Sequence, residues 1–291
     1  MKTVVQSSIS WRVSGKGKRR VGTEAVSYTL LQCLREAWLA ANVAEKCAAV
    51  DALIPHYLAL TDDAALDWGA APPCAQIGRP ERPICVPPAD LPQRRAVDRA
   101  GRAALLHAIA HIEFNAINLA LDAAWRFSRL GTAFVRDWIG VAIEEAYHFS
   151  LIAEQMALLD VRYGDLPAHS GLWNLAEQTA DDSLVRMALV PRLMEARGLD
   201  AMPPIFRSFQ GVGDKAVLRA LSVIARDEVR HVALGDRWFR RLCDEQGLPV
   251  AQTYQTLIEQ YQAPRPRPPL NAAARRAAGF NEAELNALQG R

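Results

Sequence analysis

Two short motifs in this sequence each combine a glutamate with a histidine three residues later. The first, IEEAYHFSLI, contains Glu145 and His148, and the second, ARDEVRHVAL, contains Glu228 and His231. The two copies stand 83 residues apart, from 145 to 228 and from 148 to 231. On a helix, residues three apart lie about 60° from each other, so each motif presents a carboxylate and an imidazole on one face. Both groups are ligands for divalent metal ions.

A lone glutamate precedes each motif and lies at the centre of an apolar helical stripe. Glu113 stands 32 residues before Glu145, and Glu195 stands 33 residues before Glu228. On a helical projection, leucine, isoleucine and alanine fall within about 40° of Glu113, and Glu145 and Glu228 have similar surroundings. Glu195 follows Pro191, which should kink its helix or mark its start. The pattern predicts four carboxylates and two imidazoles in one helical core.

Buried carboxylates that face each other need a counter-charge, because the idealised cost of burying one unpaired carboxylate is of order 20 kcal/mol. Two divalent cations would balance four carboxylates and two neutral histidines. Di-iron and di-manganese helical bundles bind their metals with one Glu from each of two helices and one Glu-x-x-His from each of two others. Buried salt bridges are the alternative. The predicted metal ligands are Glu113, Glu145, His148, Glu195, Glu228 and His231, and the four glutamates are also the predicted catalytic residues.

Two further acids precede the motif glutamates and suggest an outer layer around the metals. Glu144 and Asp227 each lie about 100° round their helix from the ligand that follows. Ligating histidines usually donate their second N–H to a carboxylate or carbonyl. We therefore expect Asp227 to accept from His148, Glu144 to accept from His231, and Arg230 either to hold this layer or to be solvated. The sequence DEVRH at 227–231 also matches the Asp-Glu-x-Arg-His signature of di-iron oxygenases and reductases.

The elements that must position these residues are helices. Apolar periodicity runs through residues 24–60, and a segment dense in proline follows at 61–97, which we expect to run extended over the surface. Four long helical patterns cover residues 98–129, 132–160, 172–197 and 214–245, with shorter ones at 248–262 and 271–288. Breakers lie at Gly131, YGDLP, GLDAMPP, Gly211 and Gly213. We predict an all-α fold with three regions, 1–97, 98–246 and 247–291, in one compact domain.

Composition narrows the class of protein. The net charge of +2 is too small to argue for nucleic acid binding by itself. The five cysteines contain no C-x-x-C pair and are expected to be reduced thiols of a cytoplasmic protein. No run of 18 apolar residues predicts a membrane span, and the N-terminus lacks the pattern of a secretory signal. The basic run from Lys16 to Arg20 is interpreted as a solvated arm or as a binding arm.

Several stretches of the chain are similar to one known family. They are GRPERPICVPPADLPQRR, LLHAIAHIEFNAINLALDA, PAHSGLWNLAEQT, MALVPRLMEARGLD, RDEVRHVALGDRWF and PLNAAARRAAGFNEAEL, and together they cover roughly residues 78–285. The chain resembles the ferritin-like family known as domain of unknown function four-five-five. The resemblance implies a ferritin-like four-helix bundle and the same six metal ligands, but it supplies no reaction. The turn MEARG is also locally similar to the tRNA hydroxylase that acts on prenylated adenosines.

The donor set favours two iron ions, with manganese as an alternative, over zinc, which often takes thiolate ligands. We predict an O2-dependent oxygenase or hydroxylase that acts on an unknown small-molecule or RNA-borne substrate. Electrons would come from an external donor, and a homodimer is one expected assembly. The alternatives are a ferroxidase or peroxide-consuming protein, a tRNA-modifying hydroxylase, and an RNA-binding module suggested by the basic arm and by PRPRPP and ARRAAG. The substrate pocket is expected beside Glu113 and Glu195, and His169 either caps a helix or lies at the mouth of the site.

Overall fold

The described part of the chain is helical. The computed structural model describes residues 23–61, 68–92 and 96–289, so the basic arm at 16–20 lies outside it. Two helices come first, α1 (Thr23–Leu39) and α2 (Val43–Ala59). The chain continues with α3 (Arg99–Arg126), α4 (Thr132–Ala157), α5 (Gly171–Gln178), α6 (Ser183–Leu189), a π-helical segment (Val190–Glu195), α7 (Ala196–Gly211), α8 (Lys215–Glu245), α9 (Val250–Gln260), α10 (Ala272–Ala277) and α11 (Glu282–Leu288). Within the described ranges no strand forms, and the one isolated bridge pairs Cys85 with Ala168.

The long helices α3, α4 and α8 form the centre of the protein together with the segmented run from α6 to α7. Helix α3 packs along α4, while α8 packs against α4, α6, the π segment and α7. Local sequence sets where these helices begin, because Asp98, Asp182 and Asp214 each accept hydrogen bonds from backbone N–H groups in the first turn of the helix that follows. Gly131, with φ of +100°, precedes α4 and allows the abrupt turn from α3.

The third long helix differs from its prediction. We expected one helix over 172–197 and a break at 198–204, but the chain forms α5, α6 and the π segment, and α7 continues through Pro203 and Pro204. Pro203 has no N–H to donate to the carbonyl of Leu199. The side chain of Asn271 donates to that carbonyl instead, at 3.1 Å. A partner 72 residues away therefore satisfies the helix, which the local sequence does not reveal.

The face of α3 opposite Glu113 is also buried. Asn115, Asn118 and Asp122 lie on that face, and each is at most 5% exposed. Asp122 accepts hydrogen bonds from Arg126 at 2.6 Å and from Arg186 of α6 at 2.8 Å. Helix α3 is thus buried on two opposite faces, although Ile112 between them is 51% exposed. By length and composition it could cross a membrane, but 78% of its most apolar window is buried inside the protein.

The proline-rich segment is extended only in part where the structure describes it, because two short 3-10 helices, Cys74–Gln76 and Pro88–Asp90, interrupt it. Gly78 N–H donates to the carbonyl of Trp38 at 2.9 Å, and Val86 N–H donates to the carbonyl of Ala168 at 2.8 Å. Near the C-terminus, the pattern at 271–288 forms two short helices, α10 and α11, rather than one, with a turn at Gly279 (φ +104°) between them. Glu284 of α11 accepts from Arg192 at 2.6 Å and so fixes this region against the π segment.

Candidate metal centre

The structure brings the two Glu-x-x-His motifs and Glu113 together between α3, α4 and α8. Single ligand atoms of Glu113, Glu145, His148 and Glu228 all lie within 4.8 Å of one another. Each of these residues is at most 9% exposed. They face inward because each stands at the middle of the apolar stripe of its helix, as the periodicity predicts. Such a group could hold a metal ion.

Glu145 lies between the two histidines. Its Oε2 is 3.3 Å from Nδ1 of His148, and its Oε1 is 2.8 Å from Nδ1 of His231. Nδ1 of His148 is also 3.3 Å from Oε2 of Glu113, and Nδ1 of His231 is 3.8 Å from Oε1 of Glu228. Both rings therefore direct the same nitrogen, Nδ1, into the carboxylate cluster.

The other ring nitrogen of each histidine contacts an outer carboxylate. Nε2 of His148 is 3.2 Å from Oδ2 of Asp227, and Nε2 of His231 is 2.8 Å from Oε2 of Glu144. Because an ionised carboxylate only accepts hydrogen bonds, Nε2 carries the proton in both rings. Each histidine of one motif thus donates to the acid that precedes the glutamate of the other motif. These crosswise contacts are the ones expected from the sequence, while their effect on a metal ion stays a prediction.

Two arginines of α8 hold the outer carboxylates. Arg226 donates to Oδ1 of Asp227 at 2.8 Å and to Oδ2 at 2.9 Å. Arg230 forms an ion pair with Glu144, although its side chain is 55% exposed, so it is both partly solvated and engaged with the outer layer. The contact of Arg226 was missed from the sequence. Its signal was available, since Arg226 and Arg230 are four residues apart and lie on the same side of α8. The negative charges of Asp227 and Glu144 are thereby paired with arginines that lie outside the buried carboxylate cluster.

Glu195 lies at the edge of the cluster, at the end of the π segment. Its Oε2 is buried and has no hydrogen-bond partner. Burial raises the pKa of Glu195, and the neighbouring Glu228 and Glu145 raise it further, to about 8. The structure does not place Glu195 within the group of four residues that lie within 4.8 Å. It is therefore a neighbour of that group rather than a member.

A close contact with α8 fixes the π segment beside the cluster. A Cβ atom added to Gly235 would lie 2.5 Å from Cβ and Cγ of Pro191, so only glycine permits this approach. The next residue, Arg192, is buried and donates to Asp236 of α8 at 2.6 Å. The missing N–H of Pro191 favours the loss of regular helix here, and π segments within helices are frequent at functional sites. The proline was identified from the sequence, but the contact that uses it was not.

The surroundings of the cluster disfavour full ionisation of its carboxylates. Burial, followed by repulsion from Glu145, raises the pKa of Glu113 well above its usual value, and the same two effects raise the pKa of Glu228. Burial alone would lower the pKa of His148, but its hydrogen bonds to Asp227, Glu113 and Glu145 raise that pKa to about 12. Bound protons thus take the place that a cation would otherwise fill.

The donor atoms fit divalent cations. Three buried polar atoms of the cluster lack a well-aligned hydrogen bond, namely Oε2 of Glu113, Oε2 of Glu195 and Nδ1 of His231. Two of them still lie near a polar atom, because Oε2 of Glu113 is 3.3 Å from His148 and Nδ1 of His231 is 2.8 Å from Glu145. Among the described residues, no arginine or lysine donates a hydrogen bond to Glu113, Glu145, Glu195 or Glu228, so the cationic groups nearest these carboxylates are the two histidines, as in the salt-bridge alternative. Carboxylate oxygens with two imidazole nitrogens suit Fe2+ and Mn2+. With Nε2–H committed to an outer acid, Nδ1 of each histidine is the nitrogen available to a metal ion.

Two histidines and one arginine outside the cluster have structural contacts. His111 lies on the far side of α3, where its ring contacts the hydroxyl of Tyr163 at 2.9 Å and the carbonyl of His169 at 3.0 Å. Nδ1 of His169 accepts from Gly171 N–H at 3.2 Å at the start of α5, so this histidine caps the helix. In the C-terminal tail, Arg275 pairs with Asp200 at 2.6 Å.

Comparison with known proteins gives a family. A relative from Haemophilus influenzae (strain ATCC 51907 / DSM 11121 / KW20 / Rd), described as an uncharacterized protein, is 44% identical over 255 residues, which cover 84% of this chain and 88% of that protein. No solved structure matches the chain. The family described as "Protein of unknown function (DUF455)" matches residues 39–286. Since this match spans most of the sequence, the chain belongs to that family.

Proposed function

We propose that this protein is a non-haem dimetal oxidoreductase with a ferritin-like bundle, which holds two iron ions and uses O2 to oxidise an organic substrate. The observation that carries the proposal is the matched arrangement of the two histidines. Each directs Nδ1 at Glu145 and commits Nε2–H to an outer carboxylate, Asp227 or Glu144. Imidazoles whose second N–H is donated to a carboxylate are the usual arrangement of metal-ligating histidines, which supports the proposal.

The residues of the chain have distinct tasks in this proposal. Glu145, which lies between the two histidines, would hold the metals together with Glu113 and Glu228, and all three would supply oxygen donors. Glu195 would complete the set from the π segment. Asp227 and Glu144 accept the Nε2 protons and orient both rings, so the proton that a bound metal ion would displace is the one on Nδ1. Bound iron would supply the electron-transfer chemistry toward O2, which the side chains alone lack, and electrons would be replaced by an external donor.

An apolar cavity supports oxidation of an organic substrate rather than iron storage. The cavity has a volume of about 210 Å³ and reaches Glu228. Its walls include Leu199, Met202 and Phe206 of α7. Apolar walls beside a metal ligand suit an organic molecule. They would not help to bind hydrated iron ions on the way to a storage cavity. The ferroxidase activity is the alternative that the experiment below separates, and elemental analysis of the purified protein separates manganese from iron.

The test is O2 consumption by protein loaded with Fe2+ under anaerobic conditions. We expect rapid uptake of O2 and a new near-ultraviolet absorption band for about two irons per chain, with no uptake by zinc-loaded protein. A chemical reductant should restore the starting spectrum. Iron added beyond that ratio should not be oxidised faster than iron in buffer. Continued oxidation of excess iron would support the ferroxidase, and an iron-loaded protein inert to O2 would overturn the proposal.

A further inference from the structure

Two cavities adjoin along α7, and the inner one reaches the metal cluster. The inner cavity of about 210 Å³ includes Glu228 in its lining, and the outer one has a volume of about 600 Å³. Pro203 and Asn271 line both. The sequence suggested a pocket beside Glu113 and Glu195, but the structure places the cavity beside Glu228, between α7, α8 and the C-terminal segment.

The inner cavity is apolar apart from its end. Leu199, Met202 and Phe206 follow one another along one face of α7, and Ala225 of α8 closes the other side. Glu228 stands one turn beyond Ala225 on α8, and its carboxyl group is the acid in this lining. A molecule in the inner cavity would therefore meet apolar walls first and the metal cluster last.

The outer cavity is basic. Arg197 and Arg207 of α7 line it, and Arg267 faces them from the C-terminal segment. The one acid of this lining, Asp200, is already engaged by the buried guanidinium of Arg275 at 2.6 Å. Among the described residues, no carboxylate forms an ion pair with these three arginines. Other arginines of the same region do have such partners, since Arg265 pairs with Glu259 and Arg276 pairs with Glu282.

Two of the arginines, Arg197 and Arg267, are close enough to repel. Burial lowers the pKa of Arg197 and the charge of Arg267 lowers it further, while the charge of Asp200 opposes these effects. The guanidinium of Arg197 makes one hydrogen bond, to Sδ of Met194 at 3.6 Å, which is a weak acceptor. Three positive groups at the mouth of an apolar cavity, with one carboxylate that is already paired with Arg275, favour an anionic ligand.

We propose that the paired cavities bind an amphipathic substrate, whose anionic head group, a carboxylate or a phosphate, contacts Arg197, Arg207 and Arg267 and whose apolar part extends to Glu228. The proposal rests on the proposed function for the reaction at the inner end, because oxidation there requires the metals. It does not need them for binding, since neither the arginines nor the apolar walls belong to the cluster. The substrate class is thus an organic anion with an apolar body, oxidised at its apolar end.

The experiment measures binding of three short-chain probes by isothermal titration calorimetry. Octanoate and octyl phosphate carry the two head groups, and 1-octanol is the neutral control. We expect both anions to bind more tightly than 1-octanol, with affinity that falls as salt is raised, and the tighter of the two identifies the head group. Equal affinity for 1-octanol would overturn the proposal.

Variants separate the two cavities. The double variant Arg207→Gln, Arg267→Gln should weaken anion binding by roughly tenfold or more, the loss typical of one or two charged hydrogen bonds. Arg219→Gln is the matched control, because Arg219 is an exposed arginine on α8 that lines neither cavity. Met202→Trp should fill the inner cavity and weaken both anionic probes. An equal loss in Arg219→Gln, or no loss in the double variant, would refute the assignment.

Metal content is measured on the same samples, so that the two proposals can fail separately. A protein that binds no iron but still binds octanoate through the arginines would remove the proposed function and leave this inference intact. A protein that binds iron but shows no preference for anions would overturn this inference and leave the proposed function intact. Circular dichroism of each variant confirms that it is folded before the binding data are compared.

Discussion

Replacing Asp227 by alanine removes the acceptor that holds Nε2–H of His148, at 3.2 Å, without touching a predicted ligand. Without this acceptor, His148 loses the contact that orients its ring with Nδ1 toward Glu113 and Glu145 and that makes Nδ1 a stronger donor to a metal ion. Loss of such an outer acceptor typically costs 10- to 100-fold in metal affinity, or about 1.4–2.7 kcal/mol. We expect a loss in this range for Fe2+.

The substitution Asp227→Asn should have a smaller effect than Asp227→Ala. The asparagine amide can keep its oxygen toward His148 and turn its NH2 group toward Arg226. The acceptor for Nε2–H is then preserved, but the negative charge is lost and the amide faces a donor. The expected order of affinity is therefore wild type, then Asp227→Asn, then Asp227→Ala. This order depends on the tautomer of His148 and would not arise from a general loss of stability.

The assay is an anaerobic titration of Fe2+ against a chromogenic chelator. Asp137→Asn is the control, because Asp137 of α4 accepts a hydrogen bond from Trp238 of α8 at 2.8 Å and so joins the same two helices away from the cluster. It should leave iron affinity unchanged. If Asp227→Ala binds iron as tightly as the wild type, or if Asp137→Asn loses as much, the outer carboxylate has no part in holding the metal.

Three further predictions concern the structure around the cluster. Gly235→Ala should destabilise the protein by about 1–3 kcal/mol in urea denaturation and reduce bound metal, because the new Cβ would lie 2.5 Å from Pro191. An unchanged denaturation midpoint would show that α8 and the π segment do not need this contact. In metal-free protein, the pKa of Glu195 is raised from 4.5 to about 8. The stability that its protonated form contributes is therefore present below pH 4.5 and is lost as the pH rises through about 8. The melting temperature should fall more steeply with pH in the wild type than in Glu195→Gln, and parallel curves would contradict the assigned environment. Asp122→Asn should cost about 3–5 kcal/mol of stability because it leaves buried Arg186 without its charge partner. The metal content per folded chain should nevertheless stay constant. A parallel loss of metal would mean that α3 transmits the change to Glu113.

Local sequence was sufficient for the helices that carry the motifs. The helices predicted at 98–129, 132–160 and 214–245 end within three residues of the observed α3, α4 and α8. Apolar stripes of period 3.6 place Glu113, Glu145 and Glu228 inward, and the same geometry brings each histidine alongside its glutamate. These features depend on residues within one helix, and that is why periodicity alone could find them.

The features that were missed depend on residues far apart in the chain. The π segment is held by Gly235 and Asp236, and the continuation of α7 through Pro203 depends on Asn271. The arginine-lined cavity likewise brings α7 against a segment some 70 residues later, as the Asn271 to Leu199 hydrogen bond shows. These long-range contacts supply hydrogen-bond or packing partners to residues that look unfavourable in their own helix. The partners are far away in the sequence, so only the folded structure identifies them.

The metal content of the purified protein tests the central claim most directly. Protein from iron-replete cells, kept anaerobic and analysed by elemental mass spectrometry, should contain about two irons per chain, as expected for a dimetal carboxylate bundle. Glu145→Ala, which removes the carboxylate between the two histidines, should lose most of that iron while remaining helical. A wild-type protein without bound transition metal, or a Glu145→Ala variant with undiminished iron, would contradict the account.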